Sequence, residues 1–287
     1  MKMDRYATFV LSLLYLQSLC FVKGASEAGD DLVKATSIGN NGYPKLQGEA
    51  SMKDITIPRP TMASCFAVSN DQGAEYNAIR AGLHTLPSLY KDTKLHMFAQ
   101  WTTDRDWKTG CYNMDCPGFV PFNNTHPEIP LPGMVFDALS SYNQTDSSII
   151  LQIVKDERPH IGGGDWWLYR VIGPARLPLG HWPASLFTGM SRCATEAAWY
   201  GAVGYARRDD DLPAMGSGHG PDEGYTKAAY FADISLMDNM AYQVDPSLKN
   251  VAPMVNDERC YKIAMDGGAD PPYRFFYGGP VSQSCEL

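Results

Sequence analysis

The residues able to do chemistry here are few, and most stand in the wrong company. Ser217 lies between Gly216 and Gly218 without the full G-x-S-x-G spacing of a nucleophile elbow. The six histidines, His84, His96, His126, His160, His181 and His219, are scattered. No H-E-x-x-H sets two of them on one helix face for a metal. Gly162-Gly163-Gly164 has neither the later glycine nor the following helix of a dinucleotide loop. Asp209-Asp210-Asp211 reads as a solvated charge run. Isolated carboxylates remain, Glu75, Glu196 and Glu223, together with a set of cysteines. Their chemistry would be proton transfer by carboxyl groups and disulfide formation, and neither calls for a metal or a cofactor.

The elements that must position these groups read as strands. Residues 95–101 alternate, with Leu95, Met97, Ala99 and Trp101 on one face. Residues 149–154 are β-branched and suit burial on both faces. Trp167, Tyr169 and Val171 recur at period two. Glycine and proline clusters such as Gly278-Gly279-Pro280 punctuate these runs. Helix is expected only in a short piece after Trp182, begun by Pro183, and in the alanine-rich stretch 191–198. Many short strands separated by turns predict a sandwich or barrel. Trp166, Trp167, Trp182 and Trp199 suit a sugar or peptide groove in type, but a core role is the better expectation.

The 287 residues allow one large all-β domain, with 44% apolar and 20% charged residues. Residues 1–24 read as a secretory signal: Lys2 and Arg5 precede an apolar run from Ala7 to Val22, and small residues follow. That run is short for a membrane span and is broken by Ser12, Gln17 and Ser18. Residues 25–59 are a polar leader, and 60–287 form the domain. The formal charge is −8, which speaks against nucleic acid as a partner. No membrane association is expected once the signal is cleaved. Of seven cysteines, Cys20 lies in the signal, leaving Cys65, Cys111, Cys116, Cys193, Cys260 and Cys285. An even set in an oxidising compartment implies disulfides, and Cys111 and Cys116 are near enough to staple one loop. Asn123 (N-N-T) and Asn143 (N-Q-T) are glycosylation sequons expected on surface loops.

Five segments, in order, carry a resemblance. They are 77–104 (Asn77-Ala78-Ile79-Arg80-Ala81-Gly82 through Trp101-Thr102-Thr103-Asp104) and 110–120 (Gly110-Cys111-Tyr112-Asn113, Cys116, Gly118-Phe119-Val120). Next come 166–187 (Trp166-Trp167-Leu168, Gly180-His181-Trp182-Pro183) and 215–231 (Met215-Gly216-Ser217-Gly218-His219, Pro221-Asp222-Glu223-Gly224-Tyr225, Lys227-Ala228-Ala229-Tyr230-Phe231). The last runs from Cys260-Tyr261 through Phe275-Phe276-Tyr277-Gly278-Gly279-Pro280 to Cys285. Together they resemble the neprosin family of secreted plant proteins, a group of glutamic peptidases, from about residue 38 to 287.

The resemblance implies an antiparallel β-sandwich of two sheets with a cleft on one face. It implies disulfides Cys111–Cys116 and Cys260–Cys285, leaving Cys65 and Cys193 either paired or as buried thiols. It also implies an acid-acting peptidase that cleaves next to proline, with two glutamates sharing a proton across the cleft. At those two positions this chain has Arg80, where I-E-A-G is expected, and Ala202, where W-G-G-E is expected. A guanidinium stays protonated and accepts nothing; a methyl carries no proton. Glu75, five residues before Arg80, falls on the opposite face of a regular strand. Glu196 lies in the stretch read as helical, and Glu223 belongs to a segment shared with the family. The expectation is a secreted, extracellular or wall-located protein without catalytic residues. It would bind a peptide or an acidic ligand in the former cleft through Arg80, Trp199 and Tyr200. The runner-up is an acid endopeptidase working with relocated carboxylates, and a third reading is a structural wall protein. Active relatives carry a large inhibitory propiece, for which the leader here is too short.

Overall fold

The computed structural model describes residues 14–17, 61–72, 75–104, 109–123, 129–137, 139–144, 147–156, 164–191, 194, 196–204, 214–232, 234, 236–237, 243–244, 253–255, 258–266 and 274–280. Strand β1 (Leu14–Gln17) precedes the pair β2 (Thr61–Gln72) and β3 (Glu75–Thr85), then helix α1 (Pro87–Tyr90). There follow β4 (His96–Thr102), β5 (Cys111–Tyr112), β6 (Val120–Pro121), β7 (Ile150–Lys155), β8 (Trp166–Ile172) and β9 (Ala175–Trp182). The chain continues through β10 (Glu196–Gly204), β11 (Ala229–Phe231), β12 (Leu236–Met237), β13 (Gln243–Val244), β14 (Lys262–Asp266) and β15 (Arg274–Gly278).

The first sheet has the order β10-β2-β3-β4-β5 and the second β1-β7-β8-β9-β6. Strands β11, β15 and β14 make a third, smaller sheet, and β12 pairs with β13. All pairings are antiparallel except that of β1 with β7, where four residues of the expected signal lie along a sheet edge. No helix among the described residues is long and apolar enough to cross a membrane.

One core joins the two large sheets. Phe66, Val68, Ile79, Ala81, Leu83, Met97 and Ala99 from the first meet Leu151, Ile153, Trp166, Leu168, Leu179 and Trp182 from the second. This is the sandwich that the strand pattern and the resemblance imply. Trp166 and Trp182 are cross-strand partners with no exposure, and the Trp166 indole donates to Met190 O at 2.8 Å. Each such side chain stabilises the fold by about 1.5–3 kcal/mol through burial. Asn77, fully buried, pins the segment after β9: its Oδ1 accepts from the Gly189 and Met190 amides, and its Nδ2 donates to Thr188 Oγ1.

Two expectations of local structure change. The stretch expected to be helical is a strand from Glu196: it runs as β10, because nine residues pair along β2 and that ladder outweighs alanine's helix propensity. The piece after Trp182 is a single 3-10 turn, Ala184–Leu186, with Pro183 just before it. Helix α1 is a four-residue turn that the alternating pattern conceals. The 95–101 alternation is correct in direction, but β4 is buried on both faces, since His96, Phe98 and Gln100 are as enclosed as Met97 and Ala99. Cys111 and Cys116 form a disulfide. Cys65 is a buried free thiol, the second of the two outcomes left open for it, and Cys260 is buried; Cys193 and Cys285, and with Cys285 the expected Cys260–Cys285 pairing, lie outside the described residues, as do the leader and the Asp209–Asp211 run.

Candidate functional site

Register decides which side chains can meet. Arg80 pairs with Ala67, which pairs with Ala198; Ala202 pairs with Ala63, which pairs with His84. Side chains alternate along strands, so Arg80, Ala202, Tyr200, Cys65, Ala67 and Gln100 share one face of the first sheet. Phe66, Ile79 and Val203 take the other, in the core. Arg80 and Ala202 therefore stand on one face, on strands flanking β2, but displaced by four residues along the strand. On an ideal sheet this sets their Cα atoms about 17 Å apart, a separation that the reach of two side chains would narrow.

Between them lies Tyr200, in register with Cys65 and Gly82. The floor here is small: Ala63, Cys65 and Ala67 on β2, Ala198 and Ala202 on β10. Gly82 is required because a Cβ at that position would stand 2.0 Å from Ser64 O, on the backbone of β2. The Arg80 guanidinium sits 5.7 Å from the Tyr200 ring centre, a cation–π arrangement. Gln100, opposite Arg80 on β4, is 2% exposed, and its Oε1 has no hydrogen-bond partner among the described residues. Trp199 falls on the opposite face, in the core between the sheets, so the structure separates it from Arg80 and Tyr200.

The electrostatics suit a fixed charge and not proton transfer. Burial works against the Arg80 cation, but Tyr200, Tyr76, Cys65 and Tyr112 outweigh it and hold its pKa above the ordinary arginine value. Burial pushes the Cys65 thiol up to about 12, although the Arg80 charge pulls the other way. Burial likewise raises the Tyr200 phenol well above its usual range. At physiological pH the face therefore holds one permanent cation among neutral protic groups. The Cys65 thiol is not in a disulfide and, protonated, is no nucleophile.

The acidic residues nearby are placed only as backbone register positions. Glu75 pairs with Gln72 and so holds a register position out of phase with Arg80, as the odd offset implies. Because the stretch around Glu196 is a strand, six residues is an even offset from Ala202, and Glu196 holds a position on the Arg80 face, paired with Ser69. Asp71, paired with Tyr76, is a second such position, and sequence reading missed it. Its signal was available, since Asp71 sits nine residues before Arg80 on the strand that pairs with β3.

The described histidines have structural partners. His84 and His96 pair across β3 and β4. The His96 ring stacks on Tyr90 at 3.7 Å, with Nε2 3.0 Å from Asp92 Oδ1 and Nδ1 3.0 Å from Gly133 O. Tyr90 accepts from Asn113 Nδ2 at 3.0 Å, so its hydroxyl donates to His84 Nε2 at 2.7 Å. This network seats α1 on the outer face of the first sheet. His181 Nε2 is 3.5 Å from Asp165, and His219 Nδ1 is 2.9 Å from Glu223, whose other oxygen accepts from Tyr142 at 2.7 Å. Glu223 thus serves a surface tether far in sequence from Arg80. His126 and His160 lie outside the described residues. Asn123 and Asn143 are both exposed, as sequon asparagines must be to be modified. A family model described as Neprosin matches residues 61–280.

Proposed function

From the premise that the chain belongs to the neprosin family, we propose that it is a secreted, catalytically silent member. It holds a peptide or another acidic ligand on the outer face of its first sheet. The observation that carries this reading is Arg80 beside Tyr200, at a position where the family resemblance expects a glutamate. A guanidinium cannot take a proton from water, and Ala202 offers none to a leaving group. What Arg80 can do is fork onto a carboxylate with two parallel N–H···O bonds. The side chains of Ala63, Ala67, Ala198 and Ala202 on that face are small, and Gln100 Oε1 offers an acceptor for a ligand N–H.

The Cys111–Cys116 disulfide, the exposed sequon asparagines and the apolar N-terminal run support secretion to an extracellular or wall location. The ligand test is titration calorimetry with a glutamate-rich peptide and its glutamine counterpart. Binding of the acidic peptide alone, lost in Arg80→Met, supports the reading. Equal binding by wild type and Arg80→Met removes Arg80 from the site.

One observation favours keeping an active peptidase as a second reading: Glu196 and Asp71 both hold register positions on the Arg80 face. If they have taken over acid–base work, Glu196→Gln abolishes a measurable cleavage.

A further inference from the structure

The outer face of the second sheet carries aromatic side chains that the Arg80 site does not use. Trp167 and Tyr169 alternate with the core residues Trp166 and Leu168 and so point outward from β8. Phe122, 45% exposed, continues the row beyond β6, its amide fixed to Leu179 O at 2.9 Å. Ring centres are 6.2 Å apart for Phe122 and Trp167, and 6.0 Å for Trp167 and Tyr169, whose planes differ by 31°. The rings thus run in series, with Tyr169 tilted against Trp167.

Polar groups border them. His181 lies 4.6 Å from Trp167 and is held by Asp165, and the Arg176 guanidinium stands 4.0 Å over Tyr169. Gln152, the cross-strand partner of Tyr169, is 6% exposed, and its Oε1 meets no donor among the described residues. A buried acceptor left unmatched is unfavourable, and a ligand hydroxyl would supply the missing donor.

We propose that this face binds a neutral, hydroxyl-rich polysaccharide chain, of the class to which cellulose and xylan belong. Sugar rings present flat C–H faces that stack on aromatic rings and edges of hydroxyls that both donate and accept. Trp167 supplies the platform and Phe122 a side wall; Arg176 and His181 donate, and Gln152 Oε1 accepts. Charge selects against the alternatives. Arg176 and Asp165 bring one formal charge of each sign beside the rings, and a chain with net charge −8 repels polyanions. The site is on the opposite side of the sandwich from Arg80 and stands or falls independently of it.

The experiment measures retention of the purified full chain on microcrystalline cellulose and insoluble xylan, with titration of cellohexaose and xylohexaose followed by tryptophan fluorescence. Saturable binding to a neutral polymer is expected, weakened roughly tenfold, about 1.4 kcal/mol, in Trp167→Ala. Phe122→Ala, at an exposed ring whose loss spares the core, keeps the melting temperature and also weakens binding, while Arg80→Met leaves it unchanged. No retention on either polymer, wild-type retention by Phe122→Ala at unchanged melting temperature, or tighter binding to polygalacturonate would each overturn the proposal.

Discussion

The Arg80 guanidinium lies 5.7 Å from the centre of the Tyr200 ring, reaching across β2 on the outer face of the first sheet. The tyrosine thus stands between the two positions where the family resemblance expects carboxylates. A cation over an aromatic ring, next to a thiol pushed up to about 12, is an environment that holds charge still.

If Arg80 serves a ligand and not the fold, replacing it with an apolar side chain of similar volume leaves stability nearly intact, since buried charges seldom stabilise. Arg80→Met is expected to keep its unfolding free energy within about 1 kcal/mol of wild type while acidic-peptide binding disappears. Arg80→Lys keeps the charge but loses the fork and the planar stack, and is expected to weaken binding by at least about tenfold. Urea unfolding and calorimetry on the same preparations separate the two effects.

Cys111 and Cys116 close a short loop with a sequence separation of 5. In the chain-entropy account such a loop stabilises the fold by about 2 kcal/mol. Replacing both with alanine is expected to remove that amount, as measured by chemical unfolding, without changing ligand binding at Arg80.

Asn77 satisfies two backbone amides in a fully buried position. Asn77→Ala leaves those amides without an acceptor and is expected to destabilise by roughly 2–4 kcal/mol. Asn77→Asp restores acceptors but loses the donor to Thr188, and is expected to fall between.

Stability should decline in acid through His84. Burial first, and the neighbouring His96 second, lower its pKa from 6.5 to about 3. The unfolded chain therefore binds a proton near pH 6.5 that the folded chain refuses until about pH 3. The contribution of His84 is complete above that window, shrinks as pH falls through it, and is constant below it, by about 1.4 kcal/mol for each unit crossed. Asp92 and Glu223 add to the decline, each held below its ordinary value chiefly by hydrogen bonds, Asp92 from the Lys94 amide and Glu223 from Tyr142. Thermal melts between pH 3 and 7 should slope less steeply for His84→Phe than for wild type.

The all-β class was legible because Trp167, Tyr169 and Val171 alternate, and the disulfide because Cys111 and Cys116 are close in sequence. The strand β10 was not, because Ala194, Ala197 and Ala198 favour helix locally and only pairing with β2 overrides that preference. The outer burial of β4 was hidden too: His96 and Phe98 look like solvent-side positions until Tyr90 and α1 are seated over them. At the site, the residue types at 80 and 202 could be read directly, but their four-residue displacement belongs to register, which no single strand encodes. For the same reason Trp199 and Tyr200, neighbours in the chain, serve opposite faces.

The most direct test is incubation of the purified protein with proline-containing peptides from about pH 2 to 7, the range over which carboxylates titrate, with products followed by mass spectrometry. A face built on Arg80 and Ala202 predicts no cleavage above a protein-free blank at any pH. Turnover that co-purifies with the protein and vanishes in Glu196→Gln would contradict it.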